Sequence, residues 1–289
     1  MRPEERPARR PEGRPAGPGG CADGELARAL AFQWDFARRR AQRVDDLPGG
    51  FAVLDERYPA SYDDNKVVIW AADDPGAVLR AADQALAGRG HRLVHVDDAG
   101  LGAALAPAFA QAGYRHAENL VMAYRGAPTS APAPQAPPSA ASAAQAPPEP
   151  PSAAEHLDVE TLVPVLRADW RAELPDAGEE AVDQLARRVE TRLRGADVVA
   201  FRGLRAPGGE LAVRADLYVH DGVAQIENVY TSPRHRGRGY ARALLRSLLA
   251  EAAGSELIFL VADAADWPKD FYRRLGFEEL GRTHSFLRT

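Results

Sequence analysis

The stretch from Gly126 to Ala153 is built almost wholly from Ala, Pro, Ser and Gln. Prolines at this density remove backbone donors and block both helix and sheet, and no apolar periodicity offers a face to bury. The stretch reads as a solvated, semi-extended linker. It restricts folding to two blocks, residues 24–125 and 156–289, joined by a linker at 126–155 and preceded by a tail at 1–23. Each block has ordinary domain size.

The first residues alternate Arg, Pro, Glu and Gly without an apolar core, so they read as a disordered tail and not as a secretory leader. A net charge of −5 and a pI near 5.9 weigh against nucleic acid or an anionic membrane as partner. The single cysteine, Cys21, cannot form an internal disulfide, which suits a reducing cytoplasm, the expected location. No apolar run approaches the roughly 18 residues that a membrane span needs.

Periodicity predicts helices over 24–43, 75–87 and 100–112 in the first block, with strands at 50–54, 65–70, 93–96 and 119–124. In the second block it predicts helices at 159–169, 178–192, 239–252 and 266–274. Strands are expected at 198–204, 210–219, 223–231, 256–261 and 282–287, with a less clear one near His156 and Leu157. Asp221-Gly222 signals a hairpin turn. Asp74 and Asp266 are placed to cap helices.

Residues Tyr230 to Ala241 read Y-T-S-P-R-H-R-G-R-G-Y-A, between a strand and a helix. Gly237 and Gly239 carry no side chain to obstruct an approaching group. The helix beyond opens with free N–H groups and the positive end of its dipole, a ready anion site. A Walker loop would need Lys-Ser or Lys-Thr after the glycines, which is missing. A dinucleotide fingerprint starting at Gly237 would need a small residue where Arg242 stands.

Arg236-Gly237-Arg238-Gly239-Tyr240-Ala241 resembles the [QR]-x-x-G-x-[GA] motif of the Gcn5-related N-acetyltransferases, the GNAT superfamily. Phe271-Tyr272-Arg273-Arg274-Leu275-Gly276-Phe277 resembles that family's later [LF]-Y-x-x-x-G-F element, in the right order and at the right separation. The resemblance covers about 156–289. It implies an α+β (mixed α/β) GNAT acyl-CoA N-acyltransferase fold with acetyl-CoA as co-substrate. The first block ends similarly, with Gly113-Tyr114 before a terminal strand and Phe109 four residues before that glycine. It has no counterpart of the glycine loop. The chain therefore reads as a tandem whose N-terminal copy is degenerate and contributes to the substrate cleft or acts as a rigid partner.

The resemblance implies that backbone amides around Arg236, Gly237, Arg238, Gly239, Tyr240, Ala241 and Arg242 hold the pyrophosphate. It implies that the strand backbone at Val229, Tyr230 and Thr231 receives the pantetheine arm as an added strand. It places Tyr272 as the acid that protonates the leaving thiolate. Glu227, expected in phase with Val229 and facing the cleft, is the candidate base, with Asp216 and His220 as alternatives. Asn228 should face away unless a bulge intervenes. Trp267 is either a channel residue or a packing residue. The histidines His91, His95, His116, His156, His220, His235 and His284 show no ligand spacing, so no metal is expected.

The reading is an N-acetyltransferase acting on a primary amine, by direct attack, with a small molecule as acceptor. A non-catalytic acyl-CoA sensor and a protein or peptide acetyltransferase remain as alternatives, and a homodimer is left open.

Overall fold

The computed structural model describes residues 21–126 and 154–289. The tail before Cys21 and nearly all of the linker lie outside the described residues, so the expectations placed on them have no structural counterpart here. The first half runs α1 (Cys21–Arg40), β1 (Arg43–Leu47), β2 (Gly50–Leu54), β3 (Lys66–Ile69), α2 (Pro75–Ala85), β4 (Arg92–Val96), α3 (Ala99–Gln111) and β5 (Arg115–Tyr124). The second runs β6 (Glu155–Leu157), α4 (Val159–Glu173), α5 (Glu179–Arg187), α6 (Val189–Arg192), β7 (Val198–Arg205), β8 (Leu211–His220), β9 (Val223–Thr231), a 3-10 turn (Pro233–His235), α7 (Tyr240–Glu251), β10 (Leu257–Asp263), α8 (Pro268–Arg273) and β11 (Phe277–Arg288).

All the strands join one 11-stranded sheet, in the order β1-β2-β3-β4-β11-β5-β10-β9-β8-β7-β6. The two halves exchange their last strands. β5, from the first half, pairs antiparallel with β10 of the second. β11, from the second half, pairs antiparallel with β4 of the first. Between them β5 and β11 run antiparallel, from Phe277 opposite Tyr124 to Leu287 opposite Arg115. Each half's core is thus closed by the other half's strand. Leu120 and Met122 of β5 pack in the core under α7, and Phe286 of β11 packs in the core under α2 and α3.

Both faces of the sheet centre are covered, as the continuous burial of Leu120 to Ala123 requires. On one face α7 lays Leu244, Leu245 and Leu248 against the sheet, all fully buried. On the other face α1 places Ala29, Leu30 and Phe32 among Val121, Tyr218, Leu257 and Phe259.

Several expected boundaries move. The first helix stops at Arg40 and is followed by β1, an edge strand whose Asp45 and Asp46 suppress its apolar signal. The helix expected over 178–192 is broken at Arg188, whose guanidinium reaches across to Asp63 and Ser61. Asp266 does not cap a helix: it accepts from the Trp267 amide, and α8 starts at Pro268 without a side-chain cap. Asp74 caps α2 as expected, accepting from the amides of Gly76 and Ala77. Asp221 (φ 47°) and Gly222 (φ 70°) form the tight turn between β8 and β9.

Candidate active site

The glycine loop leaves β9 through a 3-10 turn and enters α7 at Gly239. Gly237 and Gly239 have φ of 74° and 83°, in the left-handed region open to glycine at little cost. No side chain caps α7. Among the described residues, the first amide of this helix to find a backbone carbonyl is that of Ala243, on Gly239. The amides from Gly237 to Arg242 therefore remain available for an anion, and a Cβ added at Gly237 would meet nothing within 4 Å. Arg234, Arg238, Arg242 and Arg246 surround the loop and are exposed. Arg236 Nε donates to the Thr231 carbonyl at 3.2 Å, tying the loop to the strand end.

The corresponding helix of the first half is built differently. At the start of α2 the Asp74 carboxylate already occupies the Gly76 and Ala77 amides. An anion there would meet a fixed negative charge, so of these two helix starts only that of α7 leaves its amides open to one.

β9 and β10 pair in parallel only from Val223 to Gln225, against Leu257 to Phe259. Beyond Gln225 they diverge, and among the described residues the β9 edge from Ile226 to Thr231 has no strand partner on that side. An extended, amide-bearing chain can add to such an edge. Within this segment Asn228 has φ 54° and the β8–β9 register shifts between Arg214 and Asp216. This is a β-bulge, and it corrects the expected alternation. Glu227 and Asn228 both face the α1 side of the sheet, while Val229 packs on the α7 side. Tyr230 turns its ring under the Arg214 guanidinium, 4.6 Å away, and Tyr240 is buried in the core against His235. At Tyr230 and Tyr240 only the backbone is positioned to serve a ligand.

Glu227 lines a cavity of about 200 Å³ enclosed by both halves. Burial, with Asp63 adding to it, pushes the Glu227 carboxyl up to about 7, and Gln225 Nε2 donates to it at 2.5 Å. Asn228 Nδ2 donates instead to Asp216, at 2.9 Å. Asp216 is 4 % exposed, and its Oδ2 also receives Arg192 Nη1 at 2.8 Å and the Tyr218 hydroxyl at 2.6 Å. It is an acceptor that holds Arg192, Tyr218 and Asn228, three residues of the cavity wall, and does not itself line the cavity. His220 sits at the rim of α1, held by Asp197 and Arg39, and does not line the cavity.

Tyr272 is 9 % exposed and belongs to the core on the α7 side, its ring 6.0 Å from Phe277. Burial, then the Glu227 charge, raise its hydroxyl to about 12. Glu227 and Tyr272 approach from opposite faces of the sheet, and the gap between β9 and β10 leaves them in electrostatic reach. A Tyr kept protonated on one side and a carboxyl that ionises near neutrality on the other are matched to donating and accepting protons, respectively. Trp267 is 65 % exposed and tilted towards Phe271, a rim residue, not a core one.

The first half supplies residues that the sequence did not mark. Lys66 of β3, His95 of β4 and Asp97 just beyond it line the same cavity, with Trp34 and Arg40 of α1. Burial, then the Lys66 charge, hold His95 down at about 3, so it is neutral. Burial lifts the Asp97 carboxyl to about 6, opposed by a hydrogen bond from Trp34 Nε1 at 2.6 Å. They come from α1, from β3 and from the end of β4, and only tertiary packing brings these three elements to one cavity.

A strand–glycine loop–helix with free amides, a splayed strand pair and a buried Tyr beyond it thus lie together in the second half. The family model described as Acetyltransferase (GNAT) domain matches residues 195–279, which include the loop, Glu227 and Tyr272. Solved structures share the fold over most of the chain. A GCN5-related N-acetyltransferase from Kribbella flavida is 18 % identical with a TM-score of 0.56, covering 90 % of this chain and 94 % of its own. A conserved Staphylococcus epidermidis protein of unknown function has a TM-score of 0.60 at 11 % identity, covering 86 % and 94 %. A tandem GNAT protein from the clavulanic acid biosynthesis pathway has a TM-score of 0.50 at 15 % identity, covering 92 % and 95 %. No curated protein matches the sequence. Residues 195–279 thus match a GNAT acetyltransferase domain, and the chain shares its fold with GNAT structures, a tandem one among them.

Proposed function

We propose that this chain transfers an acetyl group from acetyl-CoA to a primary amine on a small molecule, with both substrates bound together. The observation that carries this reading is the placement of Glu227, a carboxyl ionising near pH 7 in a cavity lined by both halves beside the β9–β10 gap. The free amides of Gly237 to Arg242 fit a pyrophosphate, and the open β9 edge fits the pantetheine amides.

In this reading the acceptor amine lies in the cavity and its nitrogen attacks the thioester carbonyl at the gap. Glu227 takes the amine proton, directly or through water. The C–S bond breaks as the C–N bond forms, and Tyr272 protonates the departing thiolate. The chain's one cysteine, Cys21, is far from this machinery in sequence, in keeping with direct attack instead of a Cys-bound acyl group. A cavity of about 200 Å³ shared between the two halves favours a small acceptor over a peptide.

The test is thiol release from acetyl-CoA across a panel of small amines and amine-bearing peptides. Amine-dependent release with small amines supports the proposal. Tight acetyl-CoA binding without release from any amine would make the chain a sensor, and release with peptides alone would make it a protein acetyltransferase.

A further inference from the structure

The strand exchange brings together three side chains that sequence spacing keeps apart. In the β5–β11 register Glu118 stands opposite His284 and His116 opposite Phe286. His116, Glu118 and His284 thus share one face of the sheet, and one ligand atom from each lies within 4.8 Å of the others. Thr283, next in the chain, faces the cavity on the other side, so this cluster and the cavity that holds Glu227 are on opposite faces.

The protonation of the cluster can be worked out. His284 is 3 % exposed, and its Nε2 lies 3.1 Å from the Ala99 carbonyl. A carbonyl only accepts, so Nε2 carries the hydrogen and Nδ1 presents its lone pair. That lone pair points at His116 Nε2, 2.8 Å away. The ring cannot turn aside: α3 lies against it so closely that a Cβ at Gly102 would overlap the imidazole. Glu118 completes the group from the rim, its outer oxygen held by Arg282 at 3.0 Å. A fixed imidazole lone pair, a backbone carbonyl on its other nitrogen and a steered carboxylate are the outer-sphere arrangement of a metal-binding histidine site.

We propose that His116, Glu118 and His284 bind a borderline divalent cation, such as Zn²⁺ or Ni²⁺, that pins the two exchanged strands together. Two imidazoles and one carboxylate suit these ions and not Mg²⁺, which prefers oxygen ligands. The ion takes the place of the hydrogen between the two imidazoles: a neutral His116 keeps its one hydrogen by carrying it on Nδ1, which frees Nε2 to ligate, and no proton is lost overall. Tetrahedral binding at about 2.0–2.1 Å per nitrogen needs the two nitrogens about half an ångström further apart. The exposed His116 ring has room to make that move. The expectation of no metal rests on spacing along the chain, which does not contain this register: the proposed ligands come from both halves, and only strand pairing joins them.

The test uses the tag-free full chain, stripped with chelator and titrated with ZnCl₂, NiCl₂ or MgCl₂. Zn²⁺ and Ni²⁺ at about a hundredfold excess over Kd are expected to raise Tm by roughly 5 °C, with Mg²⁺ inert. Calorimetry should show one site per chain. His116→Gln, which can still donate a hydrogen bond to His284, should fold and lose the site, and Glu118→Gln should weaken it at least tenfold. Should His116→Gln not fold, the Glu118→Gln comparison decides. Absence of a Zn²⁺ and Ni²⁺ effect on the wild type, or an unchanged effect in the variants, overturns the proposal. No arm of the test reads acetyl transfer, so it stands apart from the proposed activity.

Discussion

Glu227→Gln gives the sharpest check on the site, because one substitution changes rate, pH profile and stability in separately calculable ways. The wild-type carboxyl, with an ordinary value near 4.5, ionises near 7 in the cavity. At pH 6 only about a tenth of it is the active base, and at pH 8 about nine tenths. Initial-rate thiol release should therefore give kcat/KM rising about tenfold per pH unit below 7, with an inflection near 7. The acceptor amine titrates as well, so two amines of different basicity should be compared. The amine's own inflection moves between them and the one near 7 stays. Gln keeps the shape and the contact with Gln225 but cannot take a proton. A loss of about 10²–10⁴ in kcat is expected, without the inflection near 7.

The stability effect has a defined sign. The folded carboxyl has a raised value, so its contribution is fully present below about 4.5 and is lost as pH rises through about 7. Above pH 7 the wild type carries a buried-charge penalty of up to about 3 kcal/mol, from the difference between 4.5 and about 7. Glu227→Gln lacks that penalty, so its urea midpoint should exceed the wild type's at pH 8 and converge with it at pH 5. A variant with wild-type kcat and the inflection near 7 intact would refute the base assignment. A stability gap that does not depend on pH would refute the buried-charge argument.

Tyr272→Phe should lower kcat about a hundredfold while leaving the calorimetric Kd for acetyl-CoA within twofold, because only a proton donor is removed. Gly239→Val should abolish acetyl-CoA binding in the same calorimetric assay. Its φ of 83° is prohibitive for a β-branched residue, and the cradle of amides depends on that angle. Phe286→Ala removes a fully buried ring from the last strand of the second half, yet it should loosen the first half, where that ring packs. A loss of about 3–5 kcal/mol is expected, with limited proteolysis cutting first in α2 or α3.

Much of the chemistry lies in local sequence. The glycine loop, its strand and helix, and the Tyr helix are each encoded within a few residues, since positive φ, free helix amides and amphipathic spacing are short-range properties. The Asp221-Gly222 turn and the Asp74 cap are legible for the same reason. The bulge at Asn228 is not. It depends on how β8 and β9 settle around the buried Arg192–Asp216 pair, and it decides that Glu227 and Asn228 share a face while Val229 does not.

The exchange of β5 and β11 was beyond any local reading. Both are strands of mixed polarity that follow a Gly-aromatic pair, Gly113-Tyr114 and Gly276-Phe277, so either half could close its sheet with its own strand as far as composition shows. Which strand goes where is settled by burial on both faces at once. β11 is long enough to place Phe277 in one core and Phe286 in the other. Residue patterns along the chain determined the glycine loop and the family resemblance. Tertiary packing alone decided the cavity shared by the two halves and the His116–Glu118–His284 cluster, because their members meet only through contacts between elements far apart in the chain.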